Sequence, residues 1–180
     1  MPFAVTHILV PLILIALIRD FYLNNRPKKK KFSLHYVLIA GLAGILPDLD
    51  VAAFWILNFF GFTLEQVHKT ILHSILIPLI FFLLFILLKD NKIEINRYKL
   101  KLNIIFLMLA IGSSIHLILD ALFGKGFAML YPFYNAPIGI DLIGYLPYAL
   151  QKIAMPSLDA ALLIIWLVYL KLRHKITDFI

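Results

Sequence analysis

Seven residues carry most of the chemistry this chain can do: His7, Asp48, Asp50, His68, His73, His116 and Asp120. The 180 residues include only six histidines and ten acids, so seven of them in or beside apolar segments need a reason. His116 and Asp120 are four apart and share one helix face, a two-point clip for a metal ion. Asp48 and Asp50 follow Pro47 and are two apart, a spacing that converges only where a helix is broken; Gly44 with Pro47 supplies the break. His68 and His73 are five apart, about 140° on a straight helix, so both reach one site only if His68 precedes the helix or stands at its start. Four imidazoles and three carboxylates with no cysteine suit Zn²⁺, while Mn²⁺ and Fe²⁺ fit the same donors. Seven donors exceed the four of one tetrahedral zinc, so two ions about 3.5–4 Å apart fit as well, with Asp48 or Asp50 free to act as general base. Singly, a buried histidine reads as a satisfied core residue and an aspartate at a helix end as a cap. Seven together argue a shared metal or catalytic site, and the rival is a proton or ion pathway.

The elements that hold these residues are membrane helices. The chain is 62% hydrophobic and 15% charged, where soluble domains run about 45–50% and about 25%. A soluble fold of this length has no interior large enough for that apolar surface, and disorder or a disulfide-stapled secreted domain is excluded by the same figures. A bilayer core about 30 Å thick needs roughly 20 apolar residues per helix. Residues 1–18, 34–60, 70–88, 102–119 and 153–170 qualify as five spans of a single all-α domain covering 1–180, a polytopic membrane helix bundle. The first lacks the basic start and small-residue cleavage site of a signal peptide. Residues 127–150, rich in Pro, Gly and Tyr, read as an outer interfacial or re-entrant segment, with Tyr131, Tyr134, Tyr145 and Tyr148 at headgroup level. Ser74, Ser113 and Ser114 read as helix-packing residues, Asp141 as a surface group, and Asp159, at the outer start of the fifth span, as a cap or a support for the site.

Basic residues fix the expected orientation. Fourteen of the 17 Lys and Arg fall in one alternating set of loops, leaving Lys69, Lys125 and Lys152 on the other side. The N-terminus then lies outside and the C-terminus in the cytoplasm, with the lysines at 28–31 as a topology anchor able to attract anionic headgroups. The net charge of +7 thus marks membrane orientation and not a nucleic-acid partner. None of the seven site residues entered this count, yet all seven fall in the outer half of the membrane. His35 and His174 fall on the cytoplasmic side.

Four motifs in order resemble the YdjM-like family of membrane-bound, metal-dependent hydrolases, described as LexA-regulated in some bacteria. They are Thr6-His7; Gly44-Ile45-Leu46-Pro47-Asp48-Leu49-Asp50, similar to G-x-x-P-D-x-D; His68-Lys69-Thr70-Ile71-Leu72-His73-Ser74, similar to H-R-x-x-T-H-S; and His116-Leu117-Ile118-Leu119-Asp120 with Tyr131-Pro132-Phe133, similar to H-x-x-x-D…P-F. Lys69 stands for the usual Arg and Leu72 for the usual Thr; Lys69 would meet a phosphate as a point charge and not bidentately. The resemblance implies a distant likeness to zinc-dependent phospholipase C in its pattern of His and Asp ligands along helices.

The expected function is a membrane hydrolase whose metal site opens to the outer leaflet and cleaves a phosphoester of a lipid-like substrate, with Lys69 and Lys125 as headgroup contacts. The alternative is a metal-ion or proton-coupled transporter, or a metal-binding membrane protein without hydrolase activity. The orientation is directly testable because the chain has no cysteine. Phe62→Cys should react with an impermeant maleimide on intact cells and Pro27→Cys should not; the reverse pattern overturns the topology.

Overall fold

Pro47 has no amide hydrogen to give a helix, and the chain breaks there. In the computed structural model, which describes residues 4–23, 32–68, 70–89, 94–95 and 100–173, helix α2 (Leu34–Ala43) ends at Gly44. A 3₁₀ turn (Leu46–Asp48) follows, and α3 (Leu49–Leu57) leaves at 43° to α2. Helix α1 (Ala4–Ile18) precedes them and runs into a π-helical turn (Arg19–Leu23). After α3 come a 3₁₀ turn (Asn58–Phe60), the short α4 (Leu64–Val67), and α5 (Leu76–Leu87). A two-stranded antiparallel ribbon, β1 (Glu94–Ile95) with β2 (Leu100–Lys101), leads into α6 (Leu102–Phe123), and α7 (Tyr148–Arg173) completes the order.

The fold is helical and membrane-type, with three to four candidate spans among the described residues and not clearly five. Among the described residues three helical segments, Ala4–Phe21, Leu102–Phe123 and Tyr148–Arg173, are long and apolar enough to cross a bilayer, and the bent pair of α2 and α3 makes a fourth. The expected span at 70–88 is corrected: its helix has 12 residues, about 18 Å at 1.5 Å per residue, well short of the ~30 Å core. Residues 70–75 are turns, because Ser74 and Ile75 give their polar groups to the loop after α6 and not to a helix. Ser74 Oγ donates to the carbonyl of Tyr131 (2.7 Å) and Ile75 N to that of Met129 (2.9 Å). The expected fifth span begins early, at Tyr148, so Asp159 lies well inside α7 and not at its start. Lys69, His174 and most of the basic loop residues lie outside the described residues.

Small residues let α1, α2 and α6 close on one another. A Cβ on Gly112 of α6 would fall 2.4 Å from the carbonyl oxygen of Ala40, and one on Gly44 would fall 1.9 Å from that of His7. Membrane helices associate through such close backbone approach, since lipid gives no hydrophobic drive. Below the contact Leu9, Leu12, Ile15, Val37, Ala40 and Met108 form the core. Helix α7 meets this body chiefly through α1 and exposes most of its apolar surface, including Ile164, Leu167 and Leu172. Gly112→Ala should therefore lower unfolding stability by about 1–3 kcal/mol through overpacking, read as a lower thermal midpoint in detergent. An unchanged midpoint would refute the close approach.

Candidate metal centre

An unbroken helix would spend the Gly44 carbonyl on the amide of Asp48. Here that amide bonds Ile45 O at 3.0 Å, and the Gly44 carbonyl accepts from His116 Nδ1 at 2.7 Å. A carbonyl oxygen can only accept, so His116 carries its proton on Nδ1 and turns a bare Nε2 inward. That Nε2 lies 3.3 Å from Nε2 of His73. His73 Nδ1 in turn lies 3.0 Å from Asp50 Oδ2, an electrostatic contact without hydrogen-bond geometry. Two imidazole nitrogens this close share a proton or, where both are bare, need a cation between them.

Carboxylates surround the pair. Asp48 Oδ1 is 3.4 Å from His73 Nε2 and 3.7 Å from His116 Nε2. Asp120 Oδ2 is 3.7 Å and 3.8 Å from the same two atoms. The ring of His7 stacks on that of His116 with centroids 3.9 Å apart, and its Nε2 is 3.4 Å from Asp120 Oδ1. His7 Nδ1 is buried with no hydrogen-bond partner among the described residues. Three overlapping sets have ligand atoms close enough for an ion: His7, Asp48 and His116; Asp48, His68 and His73; His73, His116 and Asp120. The donor set and the close Nε2 pair thus fit one or two divalent ions.

The structure brings all seven predicted residues together from four places in the chain: His7 on α1, Asp48 and Asp50 at the break, His68 and His73 in the turns before α5, and His116 and Asp120 on α6. Their roles divide. Asp50 belongs to none of the three sets; its two oxygens reach Nδ1 of His68 (2.8 Å) and Nδ1 of His73 (3.0 Å). Neither His68 nor His73 is in a helix, and the turns bring their rings to 5.0 Å, edge to face. His73, His116 and Asp120 are buried, while Asp48 and His68 remain partly open, with side chains 27% and 21% exposed.

The loop after α6 covers the cluster. Gly126 adopts φ +92, and a Cβ on Gly139 would fall 2.4 Å from its Cα, so two glycines let the loop cross itself as Phe127 pairs with Ile138. Phe127 then lies with its ring centroid 5.9 Å from that of His73. A cavity of about 460 Å³ opens beside it, lined by His68, Thr70, Phe127, Tyr131 and Asn135 among others. Neither Thr70 nor Asn135 stands out in the sequence, since no spacing links them to the ligands. Lys125 is exposed and lines a different, polar cavity with Asp141, Gly144 and Gln151. Ser74 ties the turn before α5 to the loop, a bond across 57 residues that helix packing does not describe. Asp159 accepts a hydrogen bond from Thr6, the buried neighbour of His7, and so braces α1 from α7.

His116→Ala and Asp120→Ala should each lose most bound metal while the protein still inserts and purifies. Wild-type metal content in purified His116→Ala would remove the clip from the site.

Over residues 1–176 the chain matches the family described as YdjM inner membrane protein. No curated protein and no solved structure matches it.

Proposed function

The chain belongs to the YdjM inner membrane protein family, and from that premise we propose that it is a membrane-embedded metal-dependent hydrolase acting on a phosphoester of a lipid-like substrate. The observation that carries this reading is the inward-facing Nε2 pair of His73 and His116, 3.3 Å apart and ringed by carboxylates. Burying so many ionisable groups within apolar helices is costly and marks function by default. All three metal-capable sets among the described residues lie in this one cluster, which favours a resident ion over a conduction path.

His7, His73, His116 and Asp120 would hold the ion, which leaves Asp48, beside the same nitrogens, as the base and not a ligand. Bound there, a divalent ion supplies polarisation of a phosphoryl oxygen and activation of water near neutral pH. Asp48 has the most open side chain of the three carboxylates, at 27% against 5% and 1%. It takes the proton of the attacking water as the new P–O bond forms and the bond to the leaving alcohol breaks. Asp50 orients His68 and His73 from behind, as a carboxylate does when it fixes a metal-binding imidazole. The phosphoester enters through the cavity beside His68, and Thr70, Tyr131 and Asn135 offer it neutral hydrogen-bonding groups. Lys69 remains a candidate headgroup contact by its place in the sequence, whereas Lys125 faces the neighbouring cavity. The basic-residue asymmetry supports a site on the non-cytoplasmic side.

Two asparagine variants separate these roles. Asp48→Asn should keep most of its metal and lose about 10²–10⁴-fold in turnover, the range for a general base. Asp50→Asn should weaken metal affinity about 10–100-fold, the range for a lost orienting carboxylate. The measurements are metal content and phosphate release from a lipid panel in detergent. Full metal and full activity in both variants would remove the pair from the site, and metal uptake by proteoliposomes without hydrolysis would favour the transporter.

A further inference from the structure

A third cavity, about 420 Å³ in volume, lies between α1, α5 and α6 and has almost wholly apolar walls. All three lining segments leave the metal cluster in the same direction. On α1, Leu14 follows His7 by seven residues, two turns on the same face and about 10 Å along the axis. On the α5 side the wall starts at Ile75, two residues past His73, and continues to Phe82. On α6 it runs back from Ile115, next to His116, to Leu107, about 14 Å below that histidine. The groove is therefore the hydrocarbon-side continuation of the cluster. Its floor is Ala110, which is buried, and its rim residues Leu14, Leu79 and Phe82 are each more than two-fifths exposed.

A recess of this kind in membrane helices does not hold water, which needs polar partners that only Ser114 offers here. The surrounding medium is acyl chain, and its volume is that of a ligand pocket. We propose that this groove binds one hydrocarbon chain of the substrate lipid, so that the chain lies along α5 and α6 while the phosphoester meets the His/Asp cluster above it. The inference rests on the hydrolase reading and narrows it: the substrate is a chain-bearing lipid taken from within the bilayer, not a soluble phosphoester.

The test uses the full chain in phosphatidylethanolamine vesicles doped with a phosphoester lipid carrying a diazirine halfway along its chain. Illumination should crosslink the lipid to α5 and α6 peptides. Ala110→Phe, which fills the floor, and Leu79→Trp, which closes the rim, should each cut that crosslink about tenfold. Both should raise KM for a long-chain ester about tenfold, with metal content and turnover of a short, water-soluble aryl phosphodiester unchanged. Leu79→Trp changes an exposed residue, so it retains the test if Ala110→Phe misfolds. Crosslinks elsewhere in the wild type, or equal in both variants, overturn the groove as a binding site. Loss of the crosslink with an unchanged long-chain KM means a resident lipid and overturns the substrate assignment. If the wild type hydrolyses neither ester, the hydrolase reading falls and the substrate assignment falls with it, while the crosslinks still decide whether the groove takes a chain.

Discussion

The hydrogen bond from His116 Nδ1 to the carbonyl of Gly44 is the contact on which the site depends. It exists only because the helix breaks at that carbonyl. Pro47 interrupts the ladder, the amide of Asp48 turns to Ile45, and the Gly44 oxygen is left inside a membrane protein without its helical partner. His116 satisfies it, and the bond dictates which nitrogen of the ring faces inward. The same glycine lies so close to the backbone of His7 that no side chain fits there. Gly44 thus ends a helix, sets the protonation of one imidazole and fixes the spacing of another.

The cluster's electrostatics follow from its setting. Three carboxylates and four imidazoles share a site that is mostly buried among apolar helices, where an isolated charge costs about 2.5–3.5 kcal/mol on insertion scales. Mutual contacts offset part of that cost. Asp50 uses both of its oxygens on imidazole nitrogens, which leaves Asp48 and Asp120 to face the inward Nε2 pair. A divalent cation neutralises such an arrangement more completely than one proton shared between the facing nitrogens.

Supports for the site come from parts of the chain far from the ligands. The loop after α6 folds over His73 through Phe127 and is held to the turn before α5 by Ser74 and Ile75. Helix α7 has few buried residues of its own, yet it reaches α1 through polar contacts near both ends of α1. Asp159 accepts from Thr6 beside the site, and the Tyr169 hydroxyl donates to Asp20 Oδ2 at 2.7 Å at the opposite end of α1. In a bilayer, where apolar surface gives helices no reason to associate, two such contacts are an efficient means of docking one.

Much of this was legible in the sequence because it depends on composition and short-range spacing. The apolar excess required membrane helices; Gly44 and Pro47 announced the break; the four-residue spacing of His116 and Asp120 put them on one face. The gathering of seven polar residues could be inferred because apolar surroundings leave them few other partners. The tertiary structure decided the rest. Residues 70–88 carry the hydropathy of a span, but their first six residues are turns, since the Ile75 amide and the Ser74 hydroxyl are claimed by a loop more than fifty residues away. Hydropathy averages over such a segment and cannot register a distant hydrogen bond. Nor could spacing separate Asp48 from Asp50: both follow the break, and only their distances to His68 and His73 divide an orienting carboxylate from one facing the inward nitrogens. The groove below the cluster is least legible of all, because Leu14, Ile75 and Ala110 are ordinary apolar residues until three helices leave a space between them.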